Sequence, residues 1–213
     1  MKSIRYLLLS VLLLIAGSFP VQAQNARSIL DTTAEKLRSS GGIKATFEAT
    51  QFKGTNASGT TSGTIYVQNG KFKIVTSGMT TWFDGRTQWT MLSGSNEVNV
   101  SNPTQAELQQ LNPYAFLDLY KGGYTLSAKS ATYQGRKCEE VRMTAQSRGN
   151  SIQTMIATID PHSHMPLSVR VKDDRGNWVR IRVRSISTRQ QFDGNLFRFD
   201  QKAHPDIEVI DLR

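Results

Sequence analysis

Apolar side chains recur along this chain with two different periods. Ala26, Ile29, Leu30, Thr33, Ala34 and Leu37 are spaced by threes and fours, which predicts an amphipathic helix over Asn25–Arg38 that Gly41-Gly42 stops. From Ile43 the period becomes two. Ile43, Ala45, Phe47 and Ala49 alternate with Lys44, Thr46, Glu48 and Thr50, the pattern of an antiparallel strand covered on one face. Gly54 to Gly63 is rich in Gly, Ser and Thr and reads as a mobile turn, followed by a strand at Gly63–Val67. Asn69-Gly70 is a tight turn into the strand Lys71–Val75.

Met79–Leu92 then reads as a complete hairpin about Asp84-Gly85, a pair that tolerates the positive φ angles of a type I′ turn. A two-residue loop places Trp82 opposite Thr87 and Thr80 opposite Trp89, so the two indoles form a diagonal pair on one side. They are either a core under some cover or the wall of a pocket for an apolar ligand. A short strand follows at Glu97–Val100. Asn102-Pro103 and the capping-box pair Thr104/Glu107 open a helix with Leu108 and Leu111 on its sticky face. Tyr114–Tyr120 resumes it with Phe116, Leu117, Leu119 and Tyr120, until Gly122-Gly123. Strands are predicted at Tyr124–Lys129, Lys137–Ala145, Ile152–Ile159, Leu167–Lys172, Trp178–Ile186 and Phe197–Phe199. The sum is about ten or eleven short strands in two runs, an α+β, mainly β fold built on one strongly curled antiparallel sheet with helices to one side. In the late strands Leu167, Val169, Val171, Val179, Ile181 and Val183 point one way, and Arg170, Lys172, Arg180, Arg182 and Arg184 the other. That cationic ladder is either a solvated face or a docking surface for an acidic protein or anionic headgroups.

The first residues change the picture of where the protein works. Lys2 and Arg5, the apolar run Tyr6–Ile15 and the small residues of Val21-Gln22-Ala23 form a secretory signal peptide over residues 1–23. Cleavage after Ala23 leaves Gln24–Arg213 as one domain of 213 − 23 = 190 residues, with no cysteine at the junction to carry a lipid. The expected product is a soluble periplasmic monomer. Its charge falls from +9 to 9 − 2 = +7, and export argues against nucleic acid as the partner of this excess. The single Cys138 forms no internal disulfide. His162 and His164 share the turn PHSHMP without supporting metal ligands, and the chain lacks a GxSxG elbow, P-loop or GxGxxG. The residues therefore point away from catalysis, metals and cofactors.

The order of an amphipathic helix, a Phe47 strand, GTIYV, a Phe72 strand, WFDGRTQW, NPYAFLDLY, IDPHSHMPLSVRVKDDRGNWVRIRVRSI, FRFD and PDIEVID resembles the periplasmic outer-membrane lipoprotein carriers of the LolA family. The resemblance implies an unclosed β-barrel with a helical lid over an apolar cavity. It implies acyl-chain contacts from Phe47, Ile65, Val67, Phe72, Ile74, Trp82, Trp89 and Met91 on the first strands. Leu108, Leu111, Phe116 and Leu117 would come from the lid, and Val169 and Ile181 from the late strands. The ladder Arg170, Lys172, Arg180, Arg182 and Arg184 would meet partners. Those partners are acylated lipoproteins, an inner-membrane lipoprotein-releasing ABC transporter and an outer-membrane acceptor. In the family an arginine before the Phe72 position hydrogen-bonds the lid shut; here the region reads Val67-Gln68-Asn69-Gly70-Lys71, with Lys71 its one cation. The alternatives are a lipid-binding or envelope-stress-sensing module without transfer activity, and an interaction domain with a filled core.

Overall fold

The computed structural model describes residues 21–104, 107–108 and 119–213. Helix α1, Val21–Ser39, begins four residues before the predicted start, so the expected cleavage sequence is helical in the full-length chain. Its end follows the predicted stop: Gly41 turns the chain out with φ +67°. Among the described residues twelve strands follow: β1 Gly42–Lys53, β2 Asn56–Gln68, β3 Lys71–Thr76, β4 Met79–Phe83, β5 Gln88–Leu92, β6 Glu97–Ser101, β7 Tyr124–Tyr133, β8 Arg136–Ala145, β9 Ile152–Ile159, β10 Pro166–Asp173, β11 Trp178–Gln190 and β12 Glu208–Asp211. They make one sheet in the order β12-β6-β5-β4-β3-β2-β1-β11-β10-β9-β8-β7. All neighbours are antiparallel except β12, which runs parallel to β6. The ends of the order do not pair with each other, so the sheet curls without closing.

Three expectations need correction. Gly54–Gly63 is not a loop: only Gly54 and Thr55 turn, and the rest lies in β2, paired with β1 from Lys53↔Asn56 onward. Backbone pairing and β-branched threonines outweigh the loop-like composition. Asp84-Gly85 is not a two-residue turn. The loop runs through Thr87, because the Asp84 carboxylate accepts from the amides of Arg86 (3.1 Å) and Thr87 (2.9 Å). Trp82 therefore pairs directly with Trp89, not diagonally, although the indoles do share a side. Phe197 ends a 3-10 turn, Gly194–Phe197, capped by the Asp193 side chain on the Asn195 amide, instead of beginning a strand.

The sheet has a core on each face. The face that carries α1, called inner here, packs Ala26, Leu30, Ala34 and Leu37 against Leu126, Val141, Met143, Met155 and Ala157 of β7–β9. At the other end, the outer face of β2–β6 is covered by the chain after β11. Phe192 meets Tyr66 edge-on at 5.6 Å, Phe199 meets Trp82 at 5.6 Å, and Phe197 is buried against Phe192.

Candidate functional site

Residues opposite one another in a register share a face, so the ladder sorts the apolar side chains. Val67, Phe72 and Phe83 form one inner row across β2, β3 and β4, and Ile65 and Ile74 form the next. On the other side of β2, Phe47 lies opposite Gly63 and Val183, and Ala49 opposite Ile181, which continues to Val169 and Ala157. The result is an apolar strip across seven neighbouring strands, from β4 to β9. Ile65, Phe72, Phe83 and Val169 are buried, while Phe47, Val67, Ile74, Ile181 and Val183 keep part of their surface accessible. Gly63 is required: a Cβ there would stand 2.6 Å from both the Phe47 ring and the Val75 carbonyl oxygen.

Of the expected site residues, the structure brings Phe47, Ile65, Val67, Phe72, Ile74, Val169 and Ile181 together on this strip. Trp82, Trp89 and Met91 are corrected. They alternate with Phe83 and Gln88 and so lie on the outer face, with Val98 and Val100 opposite Met91 and Trp89. Lys73 Nζ stands 5.3 Å above the Trp82 ring, and burial lowers the lysine's pKa. Arg198 sits over Trp89. Leu108 is half-buried just after the capping box, which forms as expected, Thr104 N donating to Glu107 Oε2 at 2.7 Å. Leu111, Phe116 and Leu117 lie outside the described residues. The expected site set left out Phe83 and Val183, although Val183 was read on the apolar face of its strand; Phe83 is turned inward by its pairing with Phe72. Lys71 shares the outer face with Lys73, away from the inner strip.

Arg170, Lys172, Arg180, Arg182 and Arg184 do share the outer face, as the alternation predicts. The ladder is partly neutralised. Arg184 and Arg182 approach Glu48 at 2.5 and 3.7 Å, and Arg170 approaches Glu140 at 2.8 Å. The guanidinium groups hold the Glu48 carboxyl below its ordinary range. Near the other candidate chemistry, the Asp160 carboxylate accepts from the amides of His162 and Ser163, a turn role. Burial, with Glu140 and Glu139 nearby, raises the Cys138 thiol's pKa. Among the described residues no three His, Cys, Asp or Glu side chains cluster as metal ligands.

One polar contact ties the inner core together. The Tyr120 hydroxyl donates to Asp31 of α1 at 2.5 Å, and Arg27 donates to the Tyr120 carbonyl at 3.4 Å. Burial first, then the Asp31 carboxylate, pushes the phenol from 10.0 up to about 12. The folded pKa is raised, so this contribution is complete below pH 10 and is lost as pH rises toward 12. Tyr120→Phe is expected to cost about 1 kcal/mol at neutral pH. In urea unfolding compared across pH 9 to 12, the difference between the two proteins should shrink; a constant difference would exclude the ionisation as its source.

An unclosed curled sheet with a continuous apolar inner strip, part of it accessible, defines a half-barrel with an apolar inner face. The family model for outer membrane lipoprotein carrier protein LolA matches residues 16–175, and the chain belongs to that family. No curated protein matches its sequence. Among solved structures, an uncharacterized conserved protein from Thermus thermophilus is similar over 88% of this chain and 99% of that one, with TM-score 0.59 and 14% identity. A DUF1329 family protein from Desulfovibrio piger is similar over 83% and 97%, with TM-score 0.51 and 10% identity. Both share the fold. A putative outer membrane lipoprotein-sorting protein domain from Vibrio parahaemolyticus aligns over 85% and 99% at TM-score 0.47 and 12% identity.

Proposed function

We propose that the mature chain, residues 24–213, is an exported, non-enzymatic carrier that shields the acyl chains of lipoproteins on its inner apolar strip. It receives them from an inner-membrane ABC transporter and delivers them to an acceptor at the outer membrane. The observation that carries this reading is the half-buried set Phe47, Val67, Ile74, Ile181 and Val183, contiguous on one face of the curled sheet. Each buried methylene contributes about 0.8 kcal/mol, so acylated proteins need cover to cross water. Apolar contacts are non-directional and allow both capture and release. Among the described residues no helix is long and apolar enough to cross a membrane.

The test is release of a triacylated lipoprotein from inner-membrane vesicles by the purified mature chain, read as a soluble one-to-one complex. A second reading, lipid binding without transfer, is favoured by one observation: the β2–β3 turn supplies no inward cation, since Lys71 faces outward. Lipid co-purification without lipoprotein release would select it. Under either reading, Ile181→Asp is expected to weaken binding of a fluorescent long-chain acyl probe at least about tenfold, because an ionised group would be buried against the chain. Met91→Glu, on the opposite face, should leave it within about twofold; equal losses would remove the inner strip as the binding surface.

A further inference from the structure

Where the tips of the β1–β2 and β10–β11 hairpins meet, the outer face holds a groove of about 290 Å³ lined by Phe52, Gly54, Arg170, Trp178, Val179 and Arg180. Its register explains its chemistry. Phe52 is opposite Trp178, and Arg180 is opposite Arg170, two like charges in one cross-strand pair, an arrangement that is unfavourable by itself. The Arg180 guanidinium lies 5.1 Å over the Phe52 ring. Its Nε is buried and has no hydrogen-bond partner. Carboxylates are in short supply around it. Glu48 serves Arg182 and Arg184, and Glu140 serves both Arg170 and Lys129. Arg180 and Lys172 form no ion pair among the described residues, and Arg180 reaches Glu48 only through its longer-range field. Asp173, at the hairpin tip, uses its carboxylate on the amide and side chain of Asn177.

We propose that this groove is a docking site for an acidic peptide segment of a partner protein, in which a carboxylate seats between Arg170 and Arg180 and a neighbouring apolar side chain rests on Phe52 and Trp178. Arginine forks match carboxylates bidentately, and aromatic walls add apolar contact. A flat anionic membrane fits less well, because Glu48 and Glu140 interrupt the ladder and would face its headgroups. The inference is independent of what the inner strip carries.

The test is an array of hexapeptides in which Asp or Glu alternates with Phe, Leu, Ser or Gly, probed with the folded mature chain, followed by titration of the best peptide. Peptides joining an acid to Phe or Leu should bind best. Arg180→Gln and Trp178→Ala should each weaken binding at least about tenfold, while Arg184→Gln, already paired with Glu48, should stay within about twofold. Arg180→Gln should also unfold at the same or a higher temperature, since it relieves the arginine pair. A lack of acid-dependent binding would overturn the proposal. So would equal losses in all three variants, or Arg180-dependent binding to phosphatidylglycerol vesicles but not to any peptide.

Discussion

Phe72→Ala is expected to lower the free energy of unfolding by about 3–5 kcal/mol, and Phe72→Glu to prevent folding altogether. The family resemblance implies an acyl-chain contact at Phe72, where a charge would impair loading. Here Phe72 is only 2% exposed and stacks on Phe83 at 5.1 Å and 29°. It stands between Val67 and Phe83 in its row, so truncation leaves a void that neighbouring strands cannot collapse into. Phe47, half-buried over Gly63, is the better probe of the binding surface, and Phe47→Ala should cost less than half as much. Urea denaturation of the two variants decides it. A loss below about 1 kcal/mol for Phe72→Ala would make Phe72 an open surface residue and restore the family expectation.

A chain ending at Gln191 is expected not to fold cooperatively. It lacks Phe192, Phe197, Phe199 and β12, and so uncovers Tyr66, Trp82, Val98 and Val100 on the outer face. At about 1.5–3 kcal/mol for each large apolar side chain fully buried, buried Phe197, half-buried Phe192 and Phe199, and the Trp82, Val98 and Val100 side chains they help to cover together approach or exceed about 5 kcal/mol. That is comparable with the whole stability of a typical domain. Tryptophan emission should shift to the red as Trp82 and Trp89 become wet, and the truncated chain should bind a hydrophobic dye. A cooperative transition at the full-length temperature would show instead that the C-terminal segment is a dispensable flap.

How much of this was legible in the sequence depended on which interaction set each element. Helix α1 and the strands with strict alternation, such as β1, β3 and β10, could be read because one buried face imposes one period. The outward ladder of β10 and β11 followed from the same rule. The tryptophans could not be assigned to a face, because alternation fixes them only relative to Phe83, and the inward side is set by the β3–β4 register that pairs Phe72 with Phe83; their direct pairing was missed because two side-chain hydrogen bonds lengthen the loop at Asp84. Asp-Gly chemistry suits both turn lengths. The cover over Trp82 was also invisible: it comes from Phe199, more than a hundred residues later, in a segment whose FRFD pattern reads as a strand. The first half of β2 was lost because its partner is backbone, and composition says little about backbone pairing. The cationic groove needed the register itself, which brings Arg170 opposite Arg180.

The distribution of bulges has a mechanical consequence. The pairings from β2 to β6 and from β7 to β9 run without a register shift, whereas β1 shifts against both β2 and β11, and β10 against β9. A bulge bends its strand and interrupts the ladder. The molecule is therefore a ribbon with two stiff panels, each glued on a different face, and a compliant spine along β1 between them. Under the proposed carrier function, flexing that spine would alter the width of the hollow while leaving both aromatic and helical seals intact, so that cargo of unequal girth could be held without unfolding either panel.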